Sequence, residues 1–251
     1  VDALREVNEI MEYTREVARG RVTGEEGINK FGRFSSLGTS ELTIWGGGPR
    51  YTNTPGFPAF GTAPIDGLSS TQAGDTSISI VIEGLDISGN FVSQSVLTNG
   101  TTNVGLVTAL WRVFRLYVDD TTAPAGDIRI TDGAAVIYGF ILAGDNQSAM
   151  AFYTVPKGRK LDLNAFHSDA NKDTGGVYQI LSKLYFRDGK AGKVERIQSL
   201  TGSIRNGTTH IHHEFITPIV IDEFFDIYIN SIGSTTGLDT SAGFEGVLWT
   251  P

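Results

Sequence analysis

The residues with the most chemical potential lie in one short run, His210-Ile211-His212-His213-Glu214. Side chains on a strand alternate between its two faces, so on a strand His210, His212 and Glu214 share one face. Two imidazoles and a carboxylate at that spacing are three potential ligands for a zinc-like ion. A closed zinc site needs a fourth ligand, yet the chain has no cysteine, and its remaining histidine, His167, stands far off in sequence. The same run also describes a polar strand edge that faces solvent or a neighbouring subunit. That reading is adopted, and no metal and no cofactor is assigned.

The other chemically suggestive segments resolve in the same direction. Gly46-Gly47-Gly48 leads into Pro49 and Tyr51, whereas a phosphate-binding loop ends in Gly-Lys-Ser/Thr at a helix start. A tight turn is expected there. Asp119-Asp120, and Asp169 with Asp173, lack the spacing of a calcium loop and suit turns, which favour aspartate. No Gly-x-Ser-x-Gly elbow is present. A glycosidase carboxylate pair comes from distant strands and leaves no local signature, so none is assigned. Trp45, Trp111 and Trp249 suit either a sugar-stacking platform or a β-sandwich core. No catalytic residue emerges, and the expectation is a non-enzymatic chain.

Composition narrows the field further. A formal net charge of -8 and the lack of any Lys/Arg stripe argue against nucleic acid as a partner, because binding it requires a basic footprint. The longest mainly apolar stretch, 134–143, is too short to span a bilayer. Residues 4–18 are amphipathic and studded with Glu and Arg, unlike a secretory leader. With 40% hydrophobic residues the chain can fill a core, and 31 glycines among Ser, Thr and Asn suit many short strands joined by tight turns. Only 19% of residues are charged, which suits a surface packed against neighbours.

These groups need elements to position them. Leu4, Val7, Met11 and Val17 recur at three- and four-residue steps between an N-cap at Asp2 and a stop at Gly20, which predicts one amphipathic helix over 3–19. Residues 20–40 show no sustained period, and Phe31 and Phe34 read as apolar anchors on an extended arm. From Glu41 the pattern turns to strands. Ile78, Ile80 and Ile82 alternate with polar neighbours and are followed by a turn at 86–90 and a hairpin partner over 91–97. Further strands are expected at 110–118, with Leu110, Arg112, Phe114, Leu116 and Val118 on one face, at 128–131, and at 134–142 as a central strand. After a break at 144–146 come strands at 150–155, 161–166, 177–186, 193–200, 209–216, 219–221, 226–232 and 243–249, with Asn206-Gly207 as a turn. The fold class is all-β: tandem sandwich or jelly-roll-like modules behind an N-terminal helix and arm. The divisions are 1–40, 41–145 and 146–251.

Several stretches carry a resemblance. Lys30-Phe31-Gly32-Arg33 leading into Glu41-Leu42-Thr43-Ile44-Trp45, then Ile82-Glu83-Gly84-Leu85-Asp86, Tyr153-Thr154-Val155-Pro156-Lys157-Gly158 and the closing run 241–248 resemble a family of tailed-phage virion structural proteins common in marine phages. The similarity runs over roughly 28–250 as scattered short motifs. It implies a non-catalytic component of the virion, decorating or cementing the capsid, with tail, collar or fibre anchoring as the alternative. Its partners would be the major capsid protein or tail proteins and further copies of itself. The N-terminal helix departs from the family pattern. A glycan-binding β-sandwich is the reading from a different class. The contact residues expected are Leu4, Val7, Met11, Val17, Phe31 and Phe34.

Overall fold

The computed structural model describes Tyr13 and residues 15–46, 56–133 and 136–251. Among the described residues fourteen strands run in order as β1 Glu25–Leu37, β2 Leu42–Thr43, β3 Ile65–Ser70, β4 Thr76–Leu85, β5 Phe91–Asn99, β6 Val104–Leu110 and β7 Arg112–Val118. They continue as β8 Ile128–Thr131, β9 Ile137–Ile141, β10 Phe152–Thr154, β11 Lys160–Asp188, β12 Val194–Ile221, β13 Phe225–Gly233 and β14 Leu238–Trp249. The chain is all-β, as its composition implied. Tyr13 and residues 15–18 are helical and Arg19 lies in a turn; residues 3–12 and 14 of the helix expected over 3–19 lie outside the described residues.

Two small sheets, β6-β3-β8-β9 and β5-β4-β7, pack together in the first half. Ile80 and Ile82 are fully buried from β4, each contributing about 1.5–3 kcal/mol of burial. β4 and β5 pair antiparallel, Leu85 opposite Phe91. The Asp86 carboxylate closes the turn by accepting from the amides of Ser88 at 2.8 Å and Asn90 at 2.9 Å. Gly89 has φ 80°, and a β-carbon there would lie 2.2 Å from the Phe224 ring, so the turn tip docks on the second half of the chain.

Two expectations for this half need correction. Residues 110–118 are not one strand: β6 ends on β3 at Leu110, and β7 begins on β4 at Arg112. The chain changes sheets at Trp111, whose indole N–H donates to Pro58 O at 3.0 Å. β9 is buried throughout but ends its sheet instead of lying at the centre. The neighbouring sheet covers it, and this produces the continuous apolar run.

The larger correction lies in the second half. The strands expected at 161–166 and 177–186 are one strand of 29 residues, β11, and those at 193–200, 209–216 and 219–221 are one of 28, β12. They form a single antiparallel hairpin, Leu161 opposite Ile221 and Arg187 opposite Val194. The ribbon is bent. Ser168 and Ser182 Oγ lie 2.7 Å apart although they are fourteen residues apart on β11, a separation of about 46 Å in an extended strand. The bend falls at the register shift between Lys172 and Val177, opposite Gly207 and Arg205. The predicted Asn206-Gly207 turn is therefore a corner in a continuous strand. Before the corner β11 pairs with β14, and beyond it with β13.

Residues 25–37 are also not a free arm. They form β1, paired along β14 from Glu25 opposite Trp249 to Leu37 opposite Leu238. The inward positions are occupied by Lys30 and Gly32, which hides the alternation from a hydropathy reading. Gly32 is required because a β-carbon there would meet Ile44 O at 2.0 Å. Lys30 is 8% exposed, and its ammonium donates to Phe114 O. Burial lowers its pKa to about 7.

The halves share one buried core and one buried ion cluster. Arg112 and Asp226, both fully buried, pair through Nε–Oδ1 at 2.9 Å and Nη2–Oδ2 at 3.1 Å. Asp226 also accepts from Arg187 at 2.6 Å and Thr154 at 2.7 Å. Arg112 Nη1 donates to Pro58 O at 2.8 Å. Multiple partners satisfy the buried carboxylate, as low dielectric requires.

Candidate interaction surface

The histidine run lies on β12, and its alternation is as expected. The rings of His210 and His212 stack in parallel 6.3 Å apart, and His212 Nε2 is 3.3 Å from Glu214 Oε1. His213 turns to the other face, edge-on to Phe215 at 4.8 Å. Register extends this face across four strands. Arg33, Ser241, Asp169 and His210 form one row; Phe31, Gly243, His167 and His212 form the next. His167, distant in sequence, is thus the cross-strand partner of His212.

The geometry separates these groups instead of converging them. His210 Nδ1 is held by the Asp169 carboxylate, which also accepts from Ser241 Oγ at 3.2 Å. Arg33 is engaged bidentately by Asp239 at 3.1 and 2.7 Å. Parallel rings at strand spacing do not aim at a common point about 2 Å from each, as zinc demands. Among the described residues no group of three or more His, Cys, Asp or Glu is placed to hold a metal. A groove of about 470 Å³ beside the face is lined by Phe31, Arg33, Asp145, Gln147, His167 and Ser241.

Other polar groups are occupied in holding the fold. Glu41 is below its ordinary pKa: burial alone would raise it, but hydrogen bonds from Lys183, Tyr185 and Asn230 outweigh that. Asp120 accepts from the amides of Thr121 and Thr122 in a turn. Trp45 and Trp111 are buried, and Trp249 donates to Asp162 at 2.9 Å. The two buried tryptophans present no platform to a sugar.

Of the expected contact residues, Leu4, Val7 and Met11 lie outside the described residues. Val17 is buried within this chain, Phe34 packs half-buried against the core, and Phe31 is 43% exposed. Sequence reasoning missed the free edge of β12. Among the described residues this strand pairs with β11 alone, and most of its length is exposed. Ile216 is fully exposed, and Val220, Ile197 and Val194 are 57, 48 and 40% exposed. The available signal was a run of 28 residues with no Lys to guard an edge.

No protein-family model matches the chain, and no curated protein sequence is similar to it. Among solved structures, infectious bursal disease virus VP2 in its subviral particle matches at 10% identity and TM-score 0.25, over 90% of this chain and 72% of that one. The tandem CBM22-1–CBM22-2 domain of Paenibacillus barcinonensis Xyn10C matches at 12% identity and TM-score 0.25, over 74% and 77%. The CBM22-1–GH10 modules of Clostridium thermocellum xylanase 10B match at 9% and 0.22, over 53% of this chain. The chain spans only 21% of that xylanase's length. At such TM-scores these likenesses assign neither a family nor an activity.

Proposed function

We propose that this chain is a non-enzymatic structural protein of a phage virion, decorating or cementing the capsid. The observation that carries the reading is the second-half sheet. Its polar groups are tied into ladders across the face, and its outermost strand offers a long, exposed edge instead of a reaction centre. The resemblance of its short motifs to phage virion proteins supports the same conclusion. The amphipathic stretch with Leu4, Val7 and Met11 reaches a neighbouring subunit. Phe31 adds an exposed aromatic on the body, while Phe34 and Val17 serve the chain's own packing. Partners are the major capsid protein or tail proteins, and the location is the assembled particle.

Mass spectrometry of purified virions tests this directly. The chain should be present on the order of hundreds of copies per particle if it coats a symmetric shell. About a dozen copies would move it to the tail or collar, where symmetry is lower. Absence from purified particles, or saturable turnover of a glycan or ester abolished by one acidic substitution, would overturn the proposal.

A further inference from the structure

Lys30 is a potential nucleophile that the assembly role leaves unused. It stands on β1 and is 8% exposed, yet it lines a groove of about 280 Å³ with Ile28, Glu83, Phe91, Phe114, Arg115 and Tyr153. The groove is largely aromatic. Phe114 stacks on Phe91 with ring centroids 6.1 Å apart and tilts against Tyr153 at 4.7 Å. A bulge in β7 supplies the partner of the amine. Arg115 lies opposite Glu83 and Val113 opposite Gly84, which leaves Phe114 between them outside the ladder. A bulged residue is unpaired, and the Phe114 carbonyl accepts from Lys30 instead. The Lys30 nitrogen lies 5.6 Å from the centre of the Phe114 ring.

The surroundings decide the charge of that nitrogen. Desolvation acts against the ammonium most strongly, and Arg115 on β7 adds to it, while Glu83 on β4 favours it. Glu83 and Arg115 also pair with each other at 3.4 Å. Tyr153 on β10 stays protonated, because burial pushes its pKa up, and Glu26 lines the groove from β1 at an exposed position. A desolvated lysine keeps much of its amine uncharged at neutral pH, with the lone pair available to attack carbon.

We propose that Lys30 is a covalent capture site for a small apolar aldehyde, held as an imine between Ile28, Phe91, Phe114 and Tyr153. The lone pair on Nζ attacks the aldehyde carbon, and a proton passes from nitrogen to the carbonyl oxygen. The carbinolamine then loses that oxygen as water while the C=N bond forms. The step uses no oxidant or reductant and ends at the imine. It goes beyond the assembly role and does not depend on it.

The chain has seven lysines, so six serve as internal references. The purified full chain is treated with benzaldehyde and cyanoborohydride, which reduces an imine to a stable secondary amine, and the modified lysines are mapped by peptide mass. At pH 7 Lys30 should react roughly tenfold or more faster than the other lysines. Its rate should level off once pH exceeds its pKa of about 7, while exposed lysines keep gaining toward 10.5. Glyoxylate, a charged aldehyde of similar reactivity class, should lose most of this preference. Phe91→Ala removes a half-exposed wall of the groove and should slow benzaldehyde capture several-fold with the pH profile unchanged. Lys30→Met should remove the fast site. Reaction at Lys30 no faster than at the other lysines, or a rate that climbs with theirs, would overturn the capture site. Equal preference for glyoxylate, or no effect of Phe91→Ala, would overturn the apolar aldehyde as its ligand.

Discussion

The β4–β5 and β11–β12 hairpins obey the same local rules, yet only the first could be read from sequence. In β4 a single buried face meets a single core, so Ile78, Ile80 and Ile82 mark it and Asp86 closes a short turn. The second ribbon serves two layers. Its inward residues before the corner are Phe166, Ser168 and Ala170, and beyond it Ile180, Ser182 and Leu184. Serines interrupt the apolar pattern at the place where the layers touch, through the chain Ser168–Ser182–Ser231 at 2.7 and 2.8 Å. A short hairpin advertises its core; a ribbon shared by two layers spends part of its inward face on polar contacts and reads as several fragments.

That contrast can be broken from its outer support first. A chain beginning at Ser40 removes β1 and exposes the β14 edge, while β4–β5 loses no strand partner. The expected outcome is loss of cooperative folding in the second half, seen as lost hydrogen-exchange protection along β11 and β14 with β4 spared. Retention of full-length stability would show that β1 is dispensable. Next, Arg112→Ala leaves Asp226 without its bidentate partner and should cost about 3–5 kcal/mol in denaturant unfolding. Loss below about 1 kcal/mol would show that Arg187 and Thr154 suffice.

Lys30 gives a pH-dependent version. Its folded pKa is depressed from 10.5 to about 7, so between these values the unfolded chain binds a proton that the folded chain does not. Stability therefore rises with pH across that window. Below it both states are charged, and the folded state bears the whole cost of the buried ammonium. Lys30→Met should stabilise most below pH 7, by up to a few kcal/mol, with the gain vanishing near pH 10.5. A gain independent of pH, measured by urea unfolding, would place Lys30 in its charged form throughout. The smallest effect is at the corner: Ser182→Ala should cost about 1 kcal/mol and loosen the β11–β12 ribbon without changing protection of β4–β5.

The all-β class, the hairpin at Asp86 and the shared face of His210, His212 and Glu214 were legible because each follows from alternation within a few residues. β1 was not, since its inward Lys30 and Gly32 are dictated by a neighbouring carbonyl and a tight backbone approach made by residues distant in sequence. His167 beside His212 and the free edge of β12 were illegible for a related reason: pairing partners are set by register between strands, which composition does not encode. The buried triad of Arg112, Asp226 and Arg187 joins residues more than a hundred positions apart, and nothing local announces it.

The corner in the ribbon also bears on how this chain can change over generations. β11 places four residues, 173–176, between Lys172 and Val177, where β12 places only one, Asn206, between Gly207 and Arg205. Within the regular ladders on either side, one inserted residue would turn every following side chain to the opposite face. At the corner the surplus already lies outside the ladder, so length can vary there without disturbing the phase of either layer. The same holds on β12 at 215–218, between Glu214 and Ile219. Insertions and deletions among descendants should therefore collect at 173–176 and 215–218 and be purged from the regular ladder between them, where the ribbon cannot acquire new sequence without losing its phase.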